Sequence, residues 1–474
     1  MIVRSINPEN ESLLKEFAEH TDAEIEVRLA KADHAFRDDV LSPLEARLPG
    51  RVKTLIGMAE RLERGVDEFA RMLTLEMGKT LAQAKAEVLK CAACCRHYAE
   101  NGPALLAPEK VKFEQKDIPG TKAEIRFEPM GTLLAVMPWN FPFWQVFRCA
   151  APVLLSGNSL ILKHASNVPQ SALLIEKIIG DSLREAGEDA GAFATLLISS
   201  SRVEKIIGDP RIHGVTLTGS EGAGRKVAAQ AGAQLKKTVL ELGGSDPFIL
   251  FSSANLEQAL DAAVQARLLS NGQSCIAAKR FIIHSSLYEN FRDGMLARFS
   301  KLKLGNPLES STDLGPLATA QIRKDLHALL TDAEKHGAKV LMGGKLPDGK
   351  GYFYPPTVVS DIPKHAKLYT EETFGPLASL YSFENLEEAL EIANATPFGL
   401  GASVWTSDAA EMELCTRWVQ SGQLFINTIT ASDPRVPFGG TKSSGYGREL
   451  GTYGIREWVN VKTVVTYPPK SRPA

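Results

Sequence analysis

Cys275 has the surroundings of a candidate nucleophile, because it stands among small and polar residues in NGQSCIAAKR (271–280), just after a helical stretch. A free thiol with a pKa near ~8.5 is only about 3% thiolate at pH 7. A nearby carboxylate can take the proton of the thiol, or later the proton of water that attacks an acyl-enzyme. The alternative is a small apolar residue that fills a core.

Glu241 is a candidate for that carboxylate. It ends the predicted strand TVLEL and is followed by two glycines in ELGGSDPFIL. The carboxyl end of a strand in a parallel sheet faces the crevice where ligands bind. A solvated loop acid is the other interpretation, and only a partner such as Cys275 decides between them.

A nucleophile that adds to a carbonyl also needs donors for the oxyanion that forms. Asn140 in MPWNFPFW is a good candidate, because Trp139 and Pro142 flank it and make its amide a stiff donor. Backbone N–H groups at a helix start near Cys275 are expected to add a second donor.

The turn in VTLTGSEGAGRKVAAQAGA has the features of a pyrophosphate site. A strand is predicted to end at Gly219 and a helix to open after Ser220. N–H groups and the dipole at such a helix start suit an anion. The spacing is not G-x-G-x-x-G, so by itself the turn is more typical of a tight connection between a strand and a helix.

The cysteines of KCAACCRHYAE, Cys91, Cys94 and Cys95, invite a redox or zinc interpretation. Zinc needs a second pair of ligands at matching spacing, and none is visible. The segment is strongly helical, so we predict three buried helix cysteines, no metal site and no disulfide.

The elements that must position these residues change in character along the chain. From Ala23 to about Tyr98 the apolar spacing predicts helices. KVKFEQKDIPGTKAEIRFEP predicts a hairpin, and short β-branched runs that alternate with helices from Gly131 predict a parallel α/β sheet. A second α/β domain is expected from about Asp246. The C-terminal strand VNVKTVVTYPP must pair somewhere, and we expect it to join the hairpin, in this chain or in a neighbouring subunit.

Composition excludes several classes of protein. The chain has 474 residues, of which 44% are hydrophobic, enough for a sizeable core in two or more lobes. Its 56 acidic residues nearly cancel 54 Lys and Arg, so nucleic acid is not expected as a partner. The start lacks the apolar core of a secretion signal, and no run approaches the ~20 apolar residues of a membrane span. We expect a cytoplasmic protein without a membrane partner.

Several segments together resemble the aldehyde dehydrogenase superfamily, in order and spacing over nearly the whole chain. They are VMPWNFPFW, GSEGAG, ELGGSDPFIL, NGQSC, EETFGP and PFGGTKSSGYGREL. More narrowly, WQVFRCAAPVLLSGNSLILKHASN, GGSDPF and CIAAKRFII are similar to succinate-semialdehyde dehydrogenases. The resemblance implies two Rossmann-like α/β domains and a small β element for oligomerisation. It places the cofactor domain at 1–107 and 129–245, the catalytic domain at 246–442 and the oligomerisation strands at 108–128 and 455–470.

The resemblance also implies roles for single residues. Cys275 is expected to be the nucleophile, Asn140 the oxyanion donor and Glu241 the general base. The reaction implied is oxidation of an aldehyde to an acid, with hydride transfer to NAD or NADP. The residues implied on the cofactor side are Trp139, Lys163 along the adenosine ribose, Gly219 and Ser220 at the pyrophosphate, Glu372 on the nicotinamide ribose and Phe374 against the nicotinamide.

NADP is favoured over NAD at one position. Relatives that prefer NAD often have a glutamate three residues after the ribose-side lysine, and that glutamate repels a 2′-phosphate. Here the residue is Ser166, and with Lys163 it can hydrogen-bond the phosphate, a contact worth on the order of 1.5–3 kcal/mol.

The substrate prediction rests on Arg148. If a helix begins near Pro142, Trp144 and Arg148 lie one turn apart on the face beside Asn140. Arginine binds carboxylates bidentately, and succinate-semialdehyde dehydrogenases have an arginine at the matching position. The alternative is a surface arginine paired with some acid.

The rest of that carboxylate site departs from the family pattern. A second arginine known in some of those enzymes, six residues before the nucleophile, is Leu269 here, and the nearest arginine is Arg267. Ser432 in TASDPRVPFGG is a further candidate contact. Succinic semialdehyde is the expected substrate.

Other functions compete with this interpretation. In a CoA-acylating relative CoA takes the acyl group, but such enzymes generally lack a carboxylate at the position of Glu241. A non-enzymatic structural member has no reason to keep Cys275, Glu241, Asn140 and Glu372 together. A broad-specificity aldehyde dehydrogenase is a further alternative. Since the family's usual oligomers share the C-terminal strand, a homodimer or homotetramer is expected.

Overall fold

The fold is described from a computed structural model, which covers residues 2–112 and 121–468. The helices in chain order are α1 (Asp22–Val40), α2 (Leu44–Arg64), α3 (Val66–Met77), α4 (Leu81–Leu105), α5 (Trp144–Leu155), α6 (Pro169–Ala186), α7 (Val203–Gly208), α8 (Glu221–Ala233), α9 (Leu256–Leu268), α10 (Ser285–Phe299), α11 (Ala320–Lys335), α12 (Lys367–Thr370), α13 (Leu386–Asn394), α14 (Ala409–Trp418) and α15 (Gly451–Arg456). The strands are β1 (Ile2–Ile6), β2 (Leu13–Ala18), β3 (Glu109–Val111), β4 (Lys122–Pro129), β5 (Thr132–Met137), β6 (Ser159–His164), β7 (Phe193–Thr195), β8 (Ile212–Thr218), β9 (Lys237–Glu241), β10 (Asp246–Leu250), β11 (Ala278–His284), β12 (Lys339–Met342), β13 (Thr357–Ser360), β14 (Leu377–Phe383), β15 (Phe398–Gly399), β16 (Gly401–Trp405), β17 (Gln423–Ile426), β18 (Thr441–Lys442), β19 (Gly445–Tyr446) and β20 (Val459–Thr466).

Two parallel sheets carry the architecture. The first has the order β19-β9-β8-β5-β6-β7, and all its neighbours are parallel except the short edge strand β19. The second has the order β12-β13-β14-β11-β10-β16-β17, with β12 as its antiparallel edge. Inner strands such as β6 and β10 are buried along their whole length, as strands covered by helices on both faces must be. The predicted α/β class with two Rossmann-like sheets is confirmed.

The carboxyl ends of four strands in the first sheet meet at one edge. β5 leads into Trp139 and Asn140, β6 into the turn with Ser166, β8 into Gly219, and β9 ends on Glu241. Ligands bind at this edge of a parallel sheet, because the chain leaves the sheet there and exposes its backbone and side chains. Residues far apart in the sequence are therefore brought into one region.

A third, three-stranded sheet has β4 in its centre, antiparallel to β3 and to β20. The hairpin was therefore placed correctly, although its Pro-Gly turn lies outside the described residues. The C-terminal strand joins the hairpin of its own chain, along the full register from Val459 opposite Pro129 to Thr466 opposite Lys122. The division of the chain into domains at the predicted boundaries stays a prediction.

The helical region before residue 106 packs on the first sheet. α4 lies against α2, α3 and α5, and all twelve residues of α5 are buried. Cys91, Cys94 and Cys95 lie in this core with no exposed surface and are free thiols. Burial raises the pKa of Cys94 to about 12, so these cysteines behave as small apolar residues. No helix in the described parts of the chain is long and apolar enough to cross a membrane.

Candidate active site

Cys275 lies in a loop that follows α9 and precedes β11. The buried guanidinium of Arg267 closes this loop by donating to the carbonyl oxygens of Gly272 (2.6 Å), Gly375 (2.6 Å) and Ala278 (2.9 Å). Both terminal nitrogens of the Arg267 guanidinium thus donate to backbone carbonyls, and burial lowers the pKa of Arg267 to about 9. Arg267 therefore supports the loop and does not replace the arginine that is missing at Leu269.

The backbone before the nucleophile is left-handed over three successive residues, Ser270 (φ 55°), Asn271 (φ 56°) and Gly272 (φ 76°). Non-glycine residues adopt this region only when their surroundings hold them there. The side chain of Asn271 supplies such a hold by donating to the carbonyls of Gly78 (2.8 Å) and Pro316 (2.9 Å). The loop is consequently preorganised before any ligand binds.

The donors expected from a helix start near Cys275 are not present. Residues 275–277 form a turn that leads directly into β11, with Ala277 N–H bonded to the carbonyl of Ser274 at 3.2 Å. The expectation of a helix start was wrong, because residues 271–277 form a tight irregular loop that runs into β11. The backbone N–H groups of this turn, which lack a helix dipole, are the remaining local donors for an oxyanion.

The thiol of Cys275 is at the junction of two cavities, since Cys275 lines both. Burial raises its pKa to about 12, while the charges of Lys279 and Arg148 act in the opposite direction. Lys279 is held at the loop, where its ammonium donates to the carbonyl of Cys275 at 2.7 Å. In this state the thiol is protonated at neutral pH, so it needs a proton acceptor to become a nucleophile.

Asn140 is buried beside the nucleophile loop. The side-chain Nδ2 of Asn140 donates to the backbone carbonyl of Gln273 at 3.0 Å. The backbone carbonyl of Asn140 accepts from the hydroxyl of Ser270 at 3.1 Å. An amide nitrogen carries two hydrogens, so one remains for an oxyanion. The segment is fixed by Glu87, whose Oε1 accepts from the N–H groups of Phe143 (2.9 Å) and Trp144 (3.0 Å) at the start of α5.

Glu241 is almost fully buried at the end of β9, next to Thr218 of β8. Burial raises its pKa well above the usual range, and the neighbouring carboxyl of Glu449 raises it further, against the charges of Arg148 and Arg448. Neither carboxylate oxygen of Glu241 has a hydrogen-bond partner among the described residues. An unpartnered carboxylate with a raised pKa is a stronger base than an ordinary carboxylate, so it is suited to accept a proton from a thiol or from water.

The cavity on one side of Cys275 has a volume of about 260 Å³ and contains most of the residues expected at the cofactor. Trp139 and Phe374 form an aromatic corner, edge to face with ring centroids 5.6 Å apart. Glu372 forms an ion pair with Lys279 (3.4 Å) and accepts from Gly244 N–H (3.0 Å). Its pKa is raised by burial, against the attraction of Lys279.

The turn after β8 in this cavity fits a pyrophosphate. Ser220 caps α8, with its hydroxyl accepting from Ala223 N–H at 3.3 Å. A Cβ added at Gly222 would meet no atom within 4 Å, and at Gly219 only a Leu217 methyl at 3.6 Å, so the backbone is open to a ligand. A helix N-terminus with free N–H groups and open approach is what a dinucleotide phosphate needs. NADP or NAD therefore fits here, and when bound it supplies a hydride acceptor.

Lys163 lies on β6 and Ser166 in the turn after it, two strands away from β8 in the order β8-β5-β6. Lys163 is near the end of β6 and largely buried, and burial lowers its pKa while the charge of Glu19 opposes that effect. Ser166 is exposed in the turn that follows. Both are therefore at the carboxyl edge of the first sheet, beyond the pyrophosphate turn.

The cavity on the other side of Cys275 has a volume of about 160 Å³ and is mostly apolar in its lining. Trp144, Arg148 and Ser432 all line it, so the predicted one-turn spacing on α5 brings the first two to the same cavity as the nucleophile. An apolar cavity of about 150 Å³ holds a molecule as large as benzene, so a short-chain aldehyde fits.

Arg148 is not a surface arginine, since only 1% of it is exposed. Its guanidinium forms an ion pair with Glu449, donates to the hydroxyl of Thr218 at 3.3 Å and packs on the ring of Phe438, 4.7 Å from its centroid. The charge of Arg148 is therefore largely offset by a protein carboxylate.

Several residues of this site were not found from the sequence. Glu449 lies in the GYGREL segment, where the sequence gives no sign that it faces Glu241. Leu269, already named from the sequence, also lines the substrate-side cavity. Lys90, on α4, lines it too and donates to Ser432 Oγ at 2.7 Å, 342 residues away. In a helical sequence such a lysine is typical of a solvated face, so the sequence does not indicate that Lys90 lies in the cavity.

A thiol, a carboxyl that can accept a proton, an amide donor and a dinucleotide cavity, all around one buried loop, are the parts of a covalent oxidation of an aldehyde. The chain belongs to the aldehyde dehydrogenase family, whose sequence model matches residues 1–464. It is 51% identical over 464 residues to the succinate-semialdehyde dehydrogenase [NADP(+)] of Mycobacterium avium (strain 104), covering 98% of this chain and 96% of that one. It is also 50% identical to the succinate-semialdehyde dehydrogenase [NADP(+)] 1 of Mycobacterium tuberculosis (strain ATCC 25618 / H37Rv), covering 98% of this chain and 99% of that one.

Among solved structures, the chain is similar to the succinic semialdehyde dehydrogenase of Streptococcus pyogenes in complex with NADP+. The two superpose with a TM-score of 0.93 at 35% identity, over 99% of this chain and 100% of the other. The likeness extends across both parallel sheets and the small third sheet, because nearly the whole of each chain is included.

Proposed function

We propose that this chain oxidises succinic semialdehyde to succinate and reduces NADP. The observation that carries the proposal is the position of Cys275 between two cavities, one that fits a dinucleotide and one that fits a short aldehyde. The relatives described above, named for that substrate and cofactor, support it.

The reaction follows from the positions of three residues. Glu241 takes the proton of the Cys275 thiol, and the thiolate sulfur adds to the aldehyde carbon, giving a thiohemiacetal whose oxyanion accepts from Asn140 Nδ2. Bound NADP, which Trp139, Glu372 and Phe374 would hold beside Cys275, would accept the hydride as the oxyanion re-forms a carbonyl, and a thioester would remain on Cys275. Glu241 then releases its first proton to solvent and accepts another from the water that attacks the thioester. The C–S bond breaks, the acid departs, and the Cys275 thiolate takes the proton back from Glu241.

The carboxylate of the substrate is proposed to lie away from Cys275, towards Trp144, Arg148 and Ser432. These residues line the substrate-side cavity together with the nucleophile. Arg148→Ala is expected to lower kcat/KM for succinic semialdehyde roughly 10- to 100-fold, the equivalent of ~1.5–3 kcal/mol. An equal loss for an uncharged aldehyde of similar length would mean that Arg148 supports the site and does not bind the carboxylate.

NADP is proposed as the preferred cofactor, with Lys163 and Ser166 as the residues at the 2′-phosphate. Their support is positional: one cationic and one hydroxyl side chain follow each other at the carboxyl edge of the first sheet, and neither is a carboxylate. An ammonium and a hydroxyl both donate to a phosphate oxygen.

Steady-state kinetics over a panel of aldehydes, each with NAD and with NADP, test this proposal. The expected result is the highest kcat/KM for succinic semialdehyde with NADP. A CoA-acylating enzyme would instead form acyl-CoA and depend on added CoA. The buried carboxylate of Glu241 argues against that activity. An equal efficiency for all short aldehydes would indicate a broad-specificity dehydrogenase.

We further propose that the chain forms a homodimer or homotetramer through its small third sheet. That sheet carries exposed apolar side chains, including Val111, Val461 and Val465. Apolar side chains on an open sheet are a typical interface between subunits. Light scattering after gel filtration would measure the assembly, and Val461→Glu is expected to weaken it. A cytoplasmic location is proposed as well, since all six cysteines are free.

A further inference from the structure

Lys90 places a positive charge in the substrate-side cavity. Its ammonium donates to the hydroxyl of Ser432 at 2.7 Å and lies 4.4 Å from the ring centroid of Trp144. It projects from α4 and lines the same cavity as Cys275. An ammonium has three N–H donors, so after the hydroxyl and the ring one donor remains for a ligand.

The charge of Lys90 is not neutralised by the protein. Glu87, one turn earlier on α4, forms an ion pair with Lys79 and accepts from the N–H groups at the start of α5. Arg148 is paired with Glu449. Among the described residues Lys90 forms no ion pair with any carboxylate, so it differs from the other charged residues of the cavity lining.

We propose that the ammonium of Lys90, with the hydroxyl of Ser432, binds the carboxylate of the substrate and so determines the specificity of the enzyme for a semialdehyde acid. The inference rests on the proposed function and names a residue that carries part of it. A bound carboxylate accepts from the free N–H of Lys90 and from the Ser432 hydroxyl, which can turn its hydrogen towards the ligand because its oxygen already accepts from Lys90.

The rest of the cavity lining supports this assignment. Among the described residues that line the cavity, Lys90 and Arg148 are the only cations, and Arg148 is paired with Glu449. Leu269 also lines the cavity and offers no donor, whereas Lys90 reaches it from α4 and donates to Ser432. Burial and the charge of Arg148 lower the pKa of Lys90 to about 8, as expected for a cation that lacks an acidic partner.

The test compares succinic semialdehyde with butanal, an uncharged aldehyde of the same chain length, at pH 7 and saturating NADP. Lys90→Met is expected to raise the KM for succinic semialdehyde, so that the ratio of the two kcat/KM values falls roughly 10- to 100-fold. Lys90→Arg keeps a cation and is expected to retain most of the ratio, which also controls for folding. Lys85→Met removes an exposed lysine of the same helix that pairs with Asp67, and it is expected to leave the ratio unchanged.

The outcomes separate the two proposals. A ratio that falls in Lys90→Met and persists in Lys90→Arg and Lys85→Met supports the assignment. An unchanged ratio in Lys90→Met, or equal losses on both aldehydes, overturns it while the preference of the wild-type enzyme stands. A wild-type enzyme without preference for succinic semialdehyde would overturn the proposed substrate, and with it the role of Lys90.

Discussion

The guanidinium of Arg148 forms an ion pair with the carboxylate of Glu449, and both side chains are almost completely buried. The pair lies beside Glu241, whose pKa is raised by burial and then by Glu449. The charge of Arg148 thus affects two carboxyl groups: it stabilises the Glu449 carboxylate, and it lowers the proton affinity of Glu241. A buried charge that loses its partner is costly, so the pair joins the stability of the fold to the chemistry of the site.

Arg148→Ala is expected to destabilise the protein by about 3–5 kcal/mol, because it leaves the Glu449 carboxylate buried without a counter-charge. The loss should shrink as the pH falls, since Glu449, whose pKa is already raised by burial, then takes up a proton. Thermal unfolding at pH 7.5 and pH 5.5 measures both effects. The double variant Arg148→Met/Glu449→Leu is the control, and it should recover much of the loss. A single variant as stable as the wild type would contradict this account.

Cys275→Ala is expected to abolish both NADP reduction and esterase activity, because both need the sulfur. Glu241→Gln keeps the shape of the side chain but cannot accept a proton, so it should either accumulate an acyl-enzyme or fail to form the thiolate. Intact-protein mass spectrometry after mixing with substrate and NADP separates these results by the mass of the acyl group. Near wild-type turnover in Cys275→Ala would show that the proposed nucleophile is wrong.

Alkylation of Cys275 in the enzyme without cofactor is expected to accelerate about tenfold per pH unit from pH 7 to pH 10, without a plateau. Its pKa is raised by burial to about 12, so the thiolate fraction keeps growing over this range. The rate of iodoacetamide labelling, followed by peptide mass spectrometry, measures this. The buried Cys94 and Cys149 are internal controls that should label only on unfolding. A plateau near pH 8 would indicate an ordinary thiol.

The parts of the site at strand ends could be predicted from sequence because the rule that places them is local. Glu241 follows an apolar run and Gly219 ends another, so each marks the carboxyl edge of a parallel sheet. No local rule of this kind places Lys90 or Glu449 in the site. Lys90 meets Ser432 across 342 residues, and only the packing of α4 on α5 brings its side chain into the cavity. The same limit applies to Arg148, whose position on α5 was predictable but whose carboxylate partner was not.

Ser166→Glu is expected to shift the preference of the enzyme from NADP towards NAD. A carboxylate in the exposed turn after β6 repels a 2′-phosphate and can accept from the 2′ and 3′ hydroxyls of NAD. The ratio of kcat/KM with NADP to that with NAD measures the change, and Asn167→Asp in the same turn is a control for added negative charge alone. A wild-type efficiency at least tenfold higher with NAD would refute the proposed preference.

The KM for succinic semialdehyde, divided by that for butanal, is expected to rise above pH 8 as Lys90 loses its proton. The pKa of Lys90 is lowered by burial to about 8, and deprotonation removes the charge that holds the substrate carboxylate. The groups that face it do not reverse this. Cys91 and Cys94 on α4 have raised pKa values and stay neutral, Glu87 is held by Lys79, and Arg148 repels the ammonium throughout the range.

Dividing by the KM for butanal cancels the titration of Cys275 and Glu241, since both substrates need those two groups equally. Lys90→Arg is the matched control, because a guanidinium keeps its charge up to pH 10 and its ratio should therefore stay level. A bound carboxylate favours the protonated lysine, so the pKa of Lys90 should be higher in the complex with succinic semialdehyde than in the free enzyme. A wild-type ratio that stays level from pH 7 to pH 10, like that of Lys90→Arg, would mean that the charge of Lys90 does not bind the substrate.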